Sequence, residues 1–108
     1  MKQLPLKCYS IHDTLNRLET VNILYSLNDK AQAKLLAKQT FSFLEQELGY
    51  ITSLEPRRQR ASLRDIQVGI YVLGGLSELT AKDNEPELNR QIKKRYKELE
   101  AAFTRSLG

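Results

Sequence analysis

Few residues in this 108-residue chain are of types that do chemistry, and they stand mostly alone. Cys8 precedes His12 by four positions, and Asp13 follows the histidine, so a helix that began early would gather the three on one side. They are the only cysteine and the only histidine. Structural zinc takes four Cys or His ligands and catalytic zinc takes three protein ligands. A di-iron carboxylate bundle needs two Glu-x-x-His motifs, which one histidine cannot supply. Cys8 and His12 could pair as thiolate and base, but no third residue orients the imidazole. The expectation is no metal, no cofactor and no intramolecular disulfide.

The carboxylates lead to the same expectation. Glu45 and Glu47 are two apart, which turns their side chains about 200° from each other on a helix. Asp83, Glu85 and Glu87 fall in a loop and a helix start, where acidic groups favour the helix dipole. The stretch "VGIYVLGGL", residues 68–76, carries Gly69 and Gly74 at the spacing of the two glycines in a phosphate-binding loop. Gly75 and Leu76 follow where that loop needs Lys and Ser or Thr, and the intervening residues are apolar where a cradle is small and polar. The sequence reads as non-enzymatic.

Cations are better represented. Arg57, Arg58, Arg60 and Arg64 lie within eight residues, and Lys93, Lys94, Arg95 and Lys97 stud the last segment. Together they could neutralise several phosphates, with arginine suited to bidentate contact. The net charge of +4 permits a nucleic acid or an acidic partner without requiring one. Glu87, Glu98 and Glu100 dilute the second group, and no aromatic residue interleaves the arginines to stack on bases. The segment after the arginines is too apolar for a recognition helix. Nucleic-acid binding through Arg57, Arg58, Arg60 and Arg64 is therefore the alternative reading.

Positioning these residues requires elements, and the apolar spacing supplies four. Residues 1–9 contain Pro5 and no helical period, and read as a short extended arm. Ser10 and Asp13 form a capping pattern with Asp in place of the usual Glu. Ile11, Leu15, Leu18, Val21 and Tyr25 then mark one face of a helix over about 10–27. Asn22 interrupts that stripe where it opens to water near the helix end. Asp29 caps a second helix, about 30–54, with two adjacent stripes: Ala33, Ala37, Phe41, Leu44, Leu48 and Ile51, and Leu36, Phe43, Tyr50 and Leu54. Gly49 weakens its last turn, and Pro56 marks a break.

In the third segment, 62–80, strand and helix compete over "DIQVGIYVLGG". The β-branched and aromatic content suits a strand. A helix sorts the residues better: Leu63, Ile66, Ile70 and Leu73 make one stripe, Val68, Val72, Gly75 and Leu79 another, and Arg64, Gln67, Tyr71, Gly74 and Glu78 a narrow polar edge. The helix is adopted, its glycines explained if another helix packs close. Pro86 opens a fourth helix over 86–107, with Asn84 or Glu85 as cap. Its stripe, Leu88, Ile92, Tyr96, Leu99, Phe103 and Leu107, is the clearest amphipathic signal in the chain.

The expected fold is all-α, one domain spanning 1–108, a small antiparallel four-helix bundle with an extended N-terminal arm. No stretch reaches the roughly 18 apolar residues of a membrane span, and the start lacks a secretory pattern, so a reduced cytoplasmic protein is expected. Helices two and three are apolar over a wider arc than a lone bundle needs. Something must cover the surplus: the arm, a second copy or another protein, with simple burial inside the chain as the equal alternative. The expected function is protein–protein binding of the adaptor, chaperone, immunity or regulatory kind, self-association included, through Leu36, Phe43, Tyr50, Val68 and Val72.

Overall fold

The computed structural model describes residues 10–53, 63–82 and 85–107. They form four helices: α1 (Asp13–Ser26), α2 (Lys30–Thr52), α3 (Leu63–Lys82) and α4 (Pro86–Leu107). The arm 1–9 with Cys8, the connection carrying Arg57, Arg58 and Arg60, and Asn84 lie outside the described residues. No described helix is long and apolar enough to cross a membrane.

Local chemistry sets the helix ends. The Ser10 N–H donates to the Asp13 carboxylate at 3.0 Å, the backward half of the anticipated capping box. Residues 10–12 form a turn that feeds α1, with the Asp13 and Thr14 N–H groups donating to the Ser10 and Ile11 carbonyls. α1 therefore starts three residues later than the pattern suggested.

It ends in a Schellman motif. Asn28 takes a left-handed φ of 64°, its N–H donates to the Tyr25 carbonyl, and the Asp29 N–H reaches back to Leu24. Asp29 then caps α2, accepting from the Gln32 N–H at 3.4 Å. α2 runs through Gly49 and stops at Thr52, ahead of Pro56.

Residues 63–82 are helical throughout, which settles the competition between strand and helix. At the α4 start the Glu85 carbonyl accepts from the Asn89 N–H, and Pro86 occupies the first helical position, where its missing N–H is of no consequence.

Successive helices run antiparallel. α1 packs closely on α2 and α3 on α4, while α1·α3, α2·α3 and α2·α4 contacts join the two hairpins. α2 and α3 thus each touch all three other helices. Polar ties fix the register. Lys34 Nζ meets Glu85 Oε1 at 3.0 Å, joining the start of α2 to the α3–α4 turn. Arg95 on α4 bridges Glu45 on α2 and Glu98. The Asn89 amide donates to the Ser77 carbonyl at 2.7 Å and to Thr80 Oγ1 at 3.1 Å, while the Thr80 hydroxyl donates to the Leu76 carbonyl. That chain clamps α4 to the end of α3.

The core runs along α2 and α3: Leu36, Leu44, Leu48, Ile66, Val72, Leu73 and Leu76 are fully buried, with Ile92 and Leu99 from α4 and Val21 from α1. Each such side chain contributes about 1.5–3 kcal/mol by leaving water. The surplus arc on the central helices is covered from within the chain, because each has three neighbours instead of the two of a square bundle.

α1 departs from its expected orientation. Its most buried residues are Thr14, Arg17 and Val21, which rolls the stripe of Leu15, Leu18 and Tyr25 toward one flank. Leu15 is 37% exposed. The Thr14 hydroxyl donates to the Ile11 carbonyl, so its inward position leaves no bare polar group. Arginine stems pack well on apolar surface, which suits Arg17 to the position.

The glycines of α3 each face a different helix of the same chain. A Cβ on Gly69 would come 2.6 Å from Leu48 Cδ1 on α2. One on Gly75 would come 2.7 Å from Leu18 Cδ2 on α1, and one on Gly74 would sit 3.4 Å from Tyr96 on α4. Real Cβ atoms do not approach within 3 Å of carbon, so Gly69 and Gly75 are what lets α2 and α1 come this near.

Candidate functional site

The residues expected to form an interface are divided by the fold. Leu36 and Val72 are fully buried and Val68 nearly so, all within one chain. Phe43 is half-buried against the same core. Leu36, Val68 and Val72 are closed off by the three-neighbour packing of α2 and α3, while Phe43 keeps a partly open edge. Tyr50 is 69% exposed, near the end of α2, apart from the other four. Of the arginine cluster, Arg64 is exposed at the start of α3; Arg57, Arg58 and Arg60 lie outside the described residues.

The outer side of α3 is open too, and it lies between two clefts. Gln67, Tyr71 and Glu78 form its crest, opposite the buried face of Ile66, Leu73 and Leu76. This is the polar edge seen in the sequence. Tyr71 is 66% exposed. One turn further on, Gly74 and Gly75 carry no side chain, and Tyr96 of α4 and Leu18 of α1 close on them from either side before Glu78.

A cleft runs along each side. The larger, about 1020 Å³, lies between α3 and α4, with Leu18 closing one edge and Ile70, Tyr96 and Phe103 along its walls. Lys93 and Lys97 stand on its α4 rim. The smaller lies between α1 and α3, where Leu15, Leu18 and Leu79 meet Asn22, Glu19 and Lys82. Tyr71, Gly75 and Glu78 border both clefts. The roll of α1 brings Leu15 here and leaves Leu18 at the edge of the core, and α1 and α4 make no comparable contact with each other across α3. Asn22, exposed, opens onto the α1 side.

Electrostatics on this face are mixed. The Tyr96 hydroxyl is hydrogen-bonded to Glu100; that bond, the carboxylate's charge and some burial all raise its pKa above the usual 10.0. Lys93, Lys94 and Lys97 make no ion pair among the described residues, whereas Arg90 is paired with Glu87. His12 lies 3.6 Å from Asp65 on α3, so α1 and α3 meet at their N-terminal ends. Among the described residues no group of three or more His, Cys, Asp or Glu side chains is placed to hold a metal ion.

The make-up of this face is only half legible in the sequence. The polar edge of α3 was read, and so was the stripe of α4. The roll of α1 was not, because Leu15 and Leu18 satisfy a helical period wherever the helix points. No protein-family model matches the chain, and no match was found among known proteins or solved structures.

Proposed function

We propose that this chain is a non-enzymatic protein-binding module and that the outer face of α3, with the clefts on either side, is its contact surface. The observation that carries this is the exposed Tyr71 between two apolar-walled clefts. Large aromatic side chains flanked by desolvated pockets are the anchors of protein interfaces. A face with one crest aromatic, apolar walls and a charged rim has the anatomy of a non-obligate interface.

A photo-crosslinking phenylalanine derivative placed at Tyr71, in the native host, tests the reading. A discrete adduct is expected from position 71, and none from Lys38, which is exposed on α2. Absence of any adduct at 71 removes the reading.

Binding to nucleic acid or an acidic partner is the second reading, favoured by Lys93, Lys94 and Lys97 of α4, which make no ion pair among the described residues, together with Arg64. Replacing Lys93, Lys94 and Lys97 by Gln would then flatten the salt dependence of duplex binding by about two to three in log–log slope. No measurable binding at low salt eliminates it.

A further inference from the structure

We propose that the outer side of the α1–α2 hairpin is covered by a second copy of this chain. The inference does not draw on the α3 face, which belongs to the other hairpin.

The exposed positions Leu35, Gln39, Ser42, Gln46, Tyr50 and Ser53 recur along α2 at steps of three and four, so they form one stripe. It lies opposite the buried Ala33, Ala37 and Leu44. Ile23 and Leu27 lie beside its start, because the short α1–α2 turn sets the end of α1 against the first turns of α2. Both point away from the buried Val21. Leu27, Ile23 and Leu35 are 70%, 55% and 49% exposed, and Tyr50 is equally open. Phe43 keeps its open edge on the same hairpin, partly packed on the core. Single exposed apolar side chains are ordinary, whereas a group of them on one hairpin marks a contact surface.

Charge names the occupant. No residue of the stripe is charged, and neither is Ile23 or Leu27. The charges of α2 fall on its flank: Lys34 and Glu45 turn to the other hairpin and pair with Glu85 and Arg95, and Lys38 follows Lys34 by one turn, outside the stripe. A face without charges can meet its own copy with no like charges opposed, whichever way the two-fold axis lies in the interface. Its polar groups suit the same partner. Glutamine amides and serine hydroxyls both donate and accept, so Gln39, Ser42 and Gln46 can pair across a two-fold with their own kind, which carboxylates and ammonium groups cannot do. Aliphatic and aromatic side chains with charge depleted are the composition of homodimer interface cores. A partner of different sequence is steered and selected largely by charge, and this face offers none.

The area is sufficient. α2 is about 35 Å long and α1 about 20 Å at 1.5 Å per residue, and each presents a strip about 10 Å wide. That gives about 560 Å² from each copy, roughly 1,100 Å² in all, the size of a weak specific interface. A dimer that exchanges with monomer is the expected state, with Kd of order 1–100 µM.

Sedimentation equilibrium on the purified full chain across that range tests it. The wild type should pass from one to two chain masses as concentration rises. Leu35→Arg and Leu27→Arg should each weaken association by roughly a factor of ten or more, with far-ultraviolet circular dichroism unchanged because both positions are exposed. Between about 0.05 and about 0.5 M salt the association should hardly change, since no charge is screened.

A chain that stays monomeric throughout overturns the proposal. So does a dimer indifferent to both arginine substitutions, or one broken instead by Tyr71→Arg, which would place the contact on the α3 face. A roughly tenfold loss of affinity across the salt range overturns the uncharged face as the site. A monomer that binds phosphatidylcholine vesicles, and loses that binding with Leu27→Arg and Leu35→Arg, gives the face to a lipid surface and removes the second copy.

Discussion

Gly69 is expected to resist replacement by alanine while Gly49, in the neighbouring helix, welcomes it. Inside a helix, Gly→Ala gains about 0.8–1.0 kcal/mol of intrinsic propensity. At Gly49 nothing among the described residues lies within 4 Å of the new Cβ, so the gain is kept, reduced to about 0.5–1 kcal/mol by nearness to the α2 end. At Gly69 the same methyl meets Leu48 Cδ1 at 2.6 Å and Cγ at 3.4 Å. Leu48 is fully buried, so its side chain has no open space to enter. Overpacking of this kind costs about 1–3 kcal/mol, which outweighs the propensity gain and leaves a net loss of about 1 kcal/mol.

Gly75 sits between these limits. Its Cβ would meet Leu18 at 2.7 Å, but Leu18 borders an open cleft and can swing aside, so the two terms roughly cancel. Thermal and urea unfolding followed by far-ultraviolet circular dichroism gives the comparison. For a domain of this size about 1 kcal/mol moves Tm by 4–8 °C, so Gly49→Ala should melt higher than wild type and Gly69→Ala lower. The mechanism has its own check. Leu48→Ala alone should cost about 2–5 kcal/mol, and in that background Gly69→Ala should become stabilising, with a coupling of about 2 kcal/mol. If Gly69→Ala stabilises as much as Gly49→Ala, the close approach of α2 and α3 is not the reason for the glycine.

Three further outcomes follow from named contacts. Asn28→Ala should destabilise by about 1–2 kcal/mol, because a non-glycine residue without a compensating side chain is strained in the left-handed region, whereas Asn28→Gly should be neutral or slightly stabilising in the same urea titration. Asn89→Ala should cost about 1–2 kcal/mol, since it strips a donor from the Ser77 carbonyl and the Thr80 hydroxyl in a partly buried site; Thr80→Ala in that background should then cost less than it does alone. Tyr96 is held neutral past its ordinary pKa by Glu100. Its contribution to stability is therefore complete below about pH 10 and lost as pH rises through the raised value. Phenolate absorbance should show Tyr96 ionising late, and Glu100→Gln should bring it back toward the ordinary range.

Contact through the α3 face would couple to these features. Tyr71, Leu15 and Leu18 lie where α1, α3 and α4 meet, and Gly75 sets the distance between α1 and α3. A substitution at Gly75 is therefore expected to disturb the contact surface more than its small effect on stability suggests. Gly69, on the opposite side of α3, bears on the core alone.

Four helices and their antiparallel order were written in the sequence by local terms. The three- and four-residue apolar steps, Asp29 as a cap, and Pro86 at a first helical position all act within a few residues, so they are legible without neighbours. The helical choice for residues 66–73 also followed from how that period sorts the side chains. What the sequence left open was angular. Leu36, Phe43, Val68 and Val72 form apolar stripes whether a stripe meets another helix of the chain or a partner. Leu15 lies exposed and Arg17 buried with no change in helical period. Those outcomes depend on how many helices surround each element and at what angle, and that is a property of the packed bundle. α2 and α3 lie against all the others, so their second stripes close inside the chain. α1 and α4 remain apart, and the outer side of α3 stays open.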